Sequence, residues 1–267
     1  MAINQQNNLI KALLNLLEDE DNYVSTMAME RLLSSGVNIN RLVAEFQESH
    51  NPILRSRIHQ LGNILKRRQL RSEFVRKIKN SSMTLWEGIL QINFQYNQKM
   101  DVYQVKKLMS SLADQTPRRL STPGLAEFMR NENFAFAGDD IVGSDLYLIE
   151  DVLLHRVGSP VLLSAIAKQL GNKRNLKIGI VLYKGRYCVM DRVNNLIDPS
   201  ADWKLTHLNS GQDYRPYEKL NVWLALLCQL FTSAMLEGRL QAIHRVSSLL
   251  AEICDEKVRS FPFPLGS

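Results

Sequence analysis

Apolar residues recur with the period of an α-helix along nearly the whole chain, and the spacing drops to two only between residues 177 and 198. Periodicity fixes which face of an element can be buried, so a chain patterned this way can bury helices almost everywhere and a sheet in one place. The expected fold class is therefore α+β, mainly helical, with a small antiparallel sheet.

The first helical stripe is Ile10, Leu13, Leu14 and Leu17, followed by an acidic break over 18–22 in which Asn22 reads as the capping residue. Val24, Ala28 and Leu32 form a second stripe that stops at Gly36. Leu42, Val43 and Phe46 form a third, and Asn51 with Pro52 opens a fourth carrying Leu54, Ile58, Leu61 and Leu65. Leu13 and Val43, Val24 and Leu54, and Ala28 and Ile58 each lie thirty residues apart, and this recurrence resembles two HEAT-like helical hairpins. A solenoid usually needs three or more units to close its core. Two are expected to lean on the neighbouring part of the chain, with no independent N-terminal domain.

Downstream, Thr84 and Glu87 are spaced as a capping box ahead of Leu85, Trp86, Ile89 and Leu90. Asp101 and Gln104 repeat the offset ahead of Val102, Val105, Leu108, Met109 and Leu112. Ser159 as N-cap, Pro160 at the first position and Gly171 as the stop bound a helix over 160–170. Strands over 177–183, 186–192 and 196–198 then make a three-stranded meander, turning at Lys184–Gly185 and Asn194–Asn195. Residues 211–216 read as a polar linker. Leu220, Trp223, Leu227, Leu230 and Ala234, then Leu240, Ile243, Val246, Leu250 and Ile253, predict an antiparallel helical hairpin hinged at Glu237 and Gly238. The chain thus divides into three regions: HEAT-like hairpins over 1–79, a core over 80–210, and a closing hairpin that resembles a tetratricopeptide unit, with an irregular tail, over 211–267.

With 45% hydrophobic residues, the 267-residue chain can bury a sizeable core. It has no run of eighteen apolar residues, and residues 1–8 are polar, so neither a membrane span nor a signal peptide is read and a cytoplasmic location is expected. The cysteines Cys188, Cys228 and Cys254 are odd in number, form no CxxC pair and sit in apolar segments, which predicts buried thiols. His50, His59 and His244 fall on separate helices without metal-like spacing, and no metal or cofactor is expected. The net charge of +6 is local, because residues 66–79 hold seven cations against one anion, Glu73. Such a stretch is either a solvated face or an anion-binding surface, with Lys66, Arg67 and Arg71 close together on a continuous helix. Phe74 is its only aromatic residue, so nucleic-acid binding is expected to be weak and nonspecific.

Phe134, Phe136 and Gly138, then Tyr147 and Leu148, then Val152, Leu153, Arg156, Gly158 and Pro160, resemble the SirB-type transglutaminase-like core in order and spacing. Leu170 with Gly171, Gly185 with Arg186 and Tyr187, and Asp198 with Pro199 continue the likeness. It extends to the whole chain, since members of that family also carry helical repeats in front and a helical hairpin behind. The resemblance implies a nucleophile at a helix N-terminus, with a base and an orienting acid on adjacent strands. There the helix dipole and free N–H groups lower a thiol's pKa and hold an oxyanion. Carried over residue by residue, the nucleophile position is Pro160, the base position Arg186 and the acid position Asp198. Proline cannot attack, and an arginine, with a pKa above about 12, accepts no proton at neutral pH.

Among neighbouring candidates, Ser159 reads as a cap, His155 as a polar helix position and Cys188 as a core thiol; Ser164 and His207 are the other groups within sequence reach. Arg186 and Asp198 are expected to pair. The function expected is a noncatalytic protein-binding or scaffold module with a protein partner. The alternatives are an anion or nucleic-acid binding regulator using 66–79 with Arg186, and a hydrolase with a rebuilt site.

Overall fold

The computed structural model describes residues 2–35, 38–138, 143–209 and 213–255, with side chains from Asn8 onward. The chain is α+β and mainly helical, and it divides into two compact units, 1–73 and 74–267.

The first unit holds α1 (Ala2–Leu17), α2 (Asn22–Ser34), α3 (Ile39–Phe46) and most of α4 (Pro52–Lys79), which runs on into the second. Leu13, Leu14 and Leu17 of α1, Ala28, Met29 and Leu32 of α2, Leu42 of α3, and Leu54, Ile58 and Leu61 of α4 bury one another in a cluster of their own. The two hairpins thus close a separate core, where the sequence predicted that they would need their neighbour. The α2 cap is Asp21, whose carboxylate accepts from the Tyr23 N–H at 2.7 Å. Asn22 instead accepts from Arg57 of α4 and so ties the two hairpins together. Asn51 caps α4, accepting from the Ile53 and Leu54 N–H groups at 3.0 and 3.3 Å. The predicted stop at Gly36 lies outside the described residues.

The second unit continues with α5 (Leu85–Tyr96), α6 (Val102–Gln115), α7 (Thr122–Asn131), β1 (Ala135–Phe136), α8 (Ile149–His155), β2 (Val157–Gly158) and α9 (Pro160–Lys173). Strands β3 (Ile178–Tyr183), β4 (Arg186–Asp191), β5 (Asn195–Asp198), β6 (Lys204–His207) and β7 (Arg215–Tyr217) come next, then α10 (Lys219–Leu236) and α11 (Leu240–Ile253). The Thr84–Glu87 capping box forms reciprocally at the start of α5. Asp101 caps α6 alone, accepting from the Tyr103 and Gln104 N–H groups. Buried Asn93 on α5 accepts from the Ile149 N–H at 2.6 Å, supplying the α8 N-terminus with a partner that Leu148, its own cap residue, cannot offer. Arg174, just after α9, donates to the Ala113 and Thr116 carbonyls at the end of α6.

The sheet is antiparallel with strand order β6-β5-β4-β3-β7, five strands where periodicity predicted three. The two extra strands are edges only three and four residues long. One, Lys204–His207, is mostly exposed, and the other, Arg215–Tyr217, carries Pro216 at its centre opposite Val181, so neither shows an alternating apolar signal.

One face of the sheet turns Ile178, Ile180, Val189 and Ile197 into a core shared with the buried face of α9, including Leu162, Ile166 and Leu170. The other face buries Val181, Cys188, Met190 and Leu196 with Leu208. Val222, Trp223, Leu227 and Leu230 of α10, with Ile243, Val246 and Leu250 of α11, join the α9 core. The closing hairpin therefore shares its core with the rest of the second unit. Helix α10 has the length and mean hydropathy, 1.4 over 18 residues, of a helix that crosses a membrane. Burial of Trp223, Leu226, Leu227 and Leu230 accounts for that composition, as in the core helix of a globular unit.

Candidate functional site

The residues that carried the family likeness all lie in the second unit. Phe134 is buried, with its ring 4.7 Å from the Arg156 guanidinium, and its carbonyl accepts from the Trp203 indole N–H. Arg156 takes a left-handed φ of 65° at the end of α8, and β2 then pairs in parallel with β1, Ala135 opposite Val157 and Phe136 opposite Gly158. Any Cβ at Gly158 would lie 2.7 Å from a Val152 methyl, so the approach of β2 to α8 requires glycine there. Ser159 caps α9, accepting from the Leu162 N–H at 3.4 Å, and Pro160 occupies the first position of that helix. Gly171 leaves room for Ile178, whose Cδ1 would be 2.6 Å from an added Cβ. Each of these residue types has a packing reason for being where it is.

Arg186 and Asp198 meet as expected. The Arg186 Nη1 lies 3.5 Å from Asp198 Oδ2, with the arginine side chain 56% exposed and the aspartate 15%. Asp198 also accepts from the Ser200 N–H at 2.8 Å through its other oxygen, so it serves as pair and as turn cap at once.

Where the structure departs from the carried-over triad is the face of the sheet. Side chains alternate along β4, so Tyr187 and Val189 point toward the core shared with α9, and Arg186, Cys188 and Met190 point away. Asp198 of β5 is on the far side with Arg186. Pro160 begins the helix that packs on the near side. The three positions do not converge, and the β4 residue facing α9 is Tyr187. It contacts α9 through its backbone, the Tyr187 carbonyl accepting from Ser164 Oγ at 3.2 Å, and through its ring it meets Tyr217 edge-on at 5.4 Å. Burial, then the neighbouring Tyr217, pushes its phenol up to about 12. Alternation pairs Tyr187 with Val189, and only the packing of α9 shows that theirs is the covered face.

Cys188 is fully buried, and burial followed by the nearby Asp198 carboxylate pushes its thiol up to about 12 despite the opposing Arg186 charge. At neutral pH it is a thiol and not a nucleophile. Cys228 and Cys254, predicted to be buried, are exposed, because Cys228 lies on the solvent side of α10 and Cys254 comes just after the last turn of α11. All five histidines are exposed, and His207 pairs with the Asn195 carboxamide at 3.1 Å. Among the described residues no group of three or more His, Cys, Asp or Glu could hold a metal ion.

The most connected acid nearby is Asp191, which sequence reasoning did not single out. It accepts from the Thr122 hydroxyl at 2.6 Å, from the Val193 and Asn195 N–H groups at 2.9 Å, and from the Asn195 carboxamide. Burial works to raise its pKa, but these donors together outweigh burial and leave it below the usual aspartate value.

Of the anion-binding candidates, Lys66 and Arg67 are exposed on α4 and Arg71 is only half-exposed, so the third member of the predicted cluster is not freely presented. At the end of the stretch, Lys79 is held by Asp255. Lys66, Arg67 and Arg71 belong to the first unit and Arg186 to the second. Compared with protein-family models, with curated proteins and with solved structures, the chain matches none.

Proposed function

We propose that this chain is a noncatalytic binding module, a degenerate relative of the SirB-type transglutaminase-like proteins, that acts in the cytoplasm on a protein partner. The observation that carries this reading is the commitment of Ser159, Ser164, Asp198 and Cys188 at the expected site to structural tasks. Ser159 caps a helix, Ser164 bonds the Tyr187 carbonyl, Asp198 caps a turn and pairs with Arg186, and Cys188 is sealed as a thiol. No nucleophile and base among them share a hydrogen bond, which acyl-transfer chemistry requires. A protein partner is favoured by apolar side chains left outside on the first hairpin: Leu9 and Leu16, seven residues apart on α1, and Tyr23 and Met27, four apart on α2, are each at least 41% exposed.

The test is paired. Purified protein is assayed for hydrolysis and transamidation of glutamine peptides, and tagged full-length chain is used to capture partners from native lysate beside a Leu16→Glu/Tyr23→Glu variant. Binding lost in the variant, with no turnover, is the expected result. Turnover abolished by Cys188→Ala would replace this reading with a rebuilt hydrolase site. For the basic stretch, Lys66, Arg67, Arg68 and Arg76 are exposed, so about three or four phosphate contacts are available and the salt slope of any RNA binding should not exceed about −4.

A further inference from the structure

A cavity of about 360 Å³ opens where α10 turns into α11, lined among others by Tyr96, Gly238, Arg239, Gln241 and Arg245. Helix α11 has 14 residues and no side chain caps its N-terminus. Ala242 and Ile243 both donate backbone N–H groups to the Arg239 carbonyl, whereas the Gln241 N–H has no acceptor among the described residues. The start of α11 therefore presents an open donor and the positive end of a helix dipole to the cavity.

Two arginines stand beside it. Arg245, on the second turn of α11, donates to the Tyr96 carbonyl at 3.4 Å. Arg239 is 48% exposed, lies 5.2 Å from the centre of the Tyr96 ring, and reaches Ser144 Oγ at 3.1 Å and Glu237 Oε2 at 3.4 Å. The Glu237 carboxylate accepts from the Ser144 N–H at 2.6 Å and the Ser144 hydroxyl at 3.0 Å.

Tyr96 supplies the independent sign of a missing partner. Its side chain is 2% exposed, and its hydroxyl makes no hydrogen bond. The Ser144 hydroxyl lies close enough to favour the phenolate, yet the two do not meet in hydrogen-bonding geometry. A buried hydroxyl without a partner is uncommon, because burying it unpaired is unfavourable. The Arg239 guanidinium lies over the ring of Tyr96, and both residues line the cavity.

We propose that this cavity binds the phosphate group of a small phosphate monoester. Arg239 and Arg245 supply charge, the Gln241 N–H supplies an in-line donor at the helix end, and the Tyr96 hydroxyl donates as well. Two guanidinium groups and a helix N-terminus match a doubly charged tetrahedral oxyanion better than a single carboxylate.

Thermal unfolding of the full chain, followed by tryptophan fluorescence, tests this with inorganic phosphate as the probe against sodium chloride and sodium acetate at equal ionic strength. Phosphate at ten times its Kd should raise the midpoint by about 3–5 °C, and chloride and acetate should not. Arg239→Gln/Arg245→Gln should abolish the shift. Tyr96→Phe should weaken phosphate binding several-fold while its own midpoint without phosphate stays equal to or above the wild type, since it removes an unpaired hydroxyl. An equal shift with acetate, a phosphate shift that survives the double arginine variant, an unchanged Kd in Tyr96→Phe, or a lower midpoint for that variant without phosphate would each overturn the assignment.

Discussion

Gly88 on α5 gives the most direct test of how the second unit is packed. A Cβ built at this position would sit 2.2 to 2.4 Å from three atoms of the Trp223 indole, where ordinary contact begins near 3.4 Å. Trp223 is 1% exposed and its indole N–H donates to the Leu85 carbonyl at 3.0 Å, so the ring cannot retreat without breaking that bond and disturbing its neighbours. Overpacking a filled core costs about 1–3 kcal/mol and the lost hydrogen bond about 1 kcal/mol. Alanine in place of a mid-helix glycine returns about 1 kcal/mol of helix propensity. Gly88→Ala should therefore destabilise by about 1–3 kcal/mol. At roughly 2–4 °C per kcal/mol for a unit of this size, the midpoint falls by about 2–12 °C. Trp86, Trp203 and Trp223 all lie within residues 74–267, so tryptophan fluorescence during urea or thermal unfolding reads this unit alone. Trp223→Leu should make room and shrink the cost of adding Gly88→Ala in a double-mutant cycle. An unfolding midpoint for Gly88→Ala at or above the wild-type value would refute the close approach of α5 and α10.

The sheet supports three further expected outcomes. A double-mutant cycle on Arg186→Ala and Asp198→Ala should return a coupling of at most about 1 kcal/mol, because the arginine is more than half exposed; Asp198→Ala alone should cost about 1–2 kcal/mol through the lost turn cap. A coupling above about 3 kcal/mol would mean a buried pair. In iodoacetamide labelling at pH 8, Cys188 should stay unmodified in native protein and react only in urea, with Cys228 and Cys254 modified first, as peptide mass spectrometry can show. Asp191 has a folded pKa below its unfolded value, so its ionised form stabilises the fold above about pH 4 and that contribution disappears as pH falls through the folded pKa. The stability gap between wild type and Asp191→Asn, measured by urea unfolding, should therefore be widest near pH 6 and narrow as the pH falls below about 4; a gap that does not narrow would contradict the donor set assigned to Asp191.

Much of the helical framework could be read from residue spacing, because stripes such as Leu13, Leu14 and Leu17 or Leu54, Ile58 and Leu61 have a single physical use. The same rule of alternation held for Arg186, Cys188 and Met190, and it already placed Arg186 on the cysteine's side of β4. What it could not reveal was which side α9 would cover, since both faces of this sheet are apolar and buried. Motif order alone therefore aligned Arg186 with a base position that the covered face gives to Tyr187. Edge strands β6 and β7 escaped notice because three or four residues cannot display a period. The separate core of the first hairpins was hidden for a different reason: that all four helical stripes turn toward one another is set by packing between helices, which no local pattern records. Tyr96 was not singled out in the sequence, and only the approach of the α10–α11 turn, more than a hundred residues later, gives it a charged cavity to line.

Strand β7 has a consequence for how copies of this protein behave in a crowded solution. A long, regular sheet margin is a template on which another chain can lay its own backbone, and extended polymers grow from such margins. Here that margin is three residues long, and its central residue, Pro216, has no N–H to offer an incoming strand. The opposite margin, β6, is four residues long and carries Lys204, whose charge opposes pairing with a second copy. The strands that periodicity could not find are thus the ones that keep the sheet at five strands and keep its growth from passing from one molecule to the next.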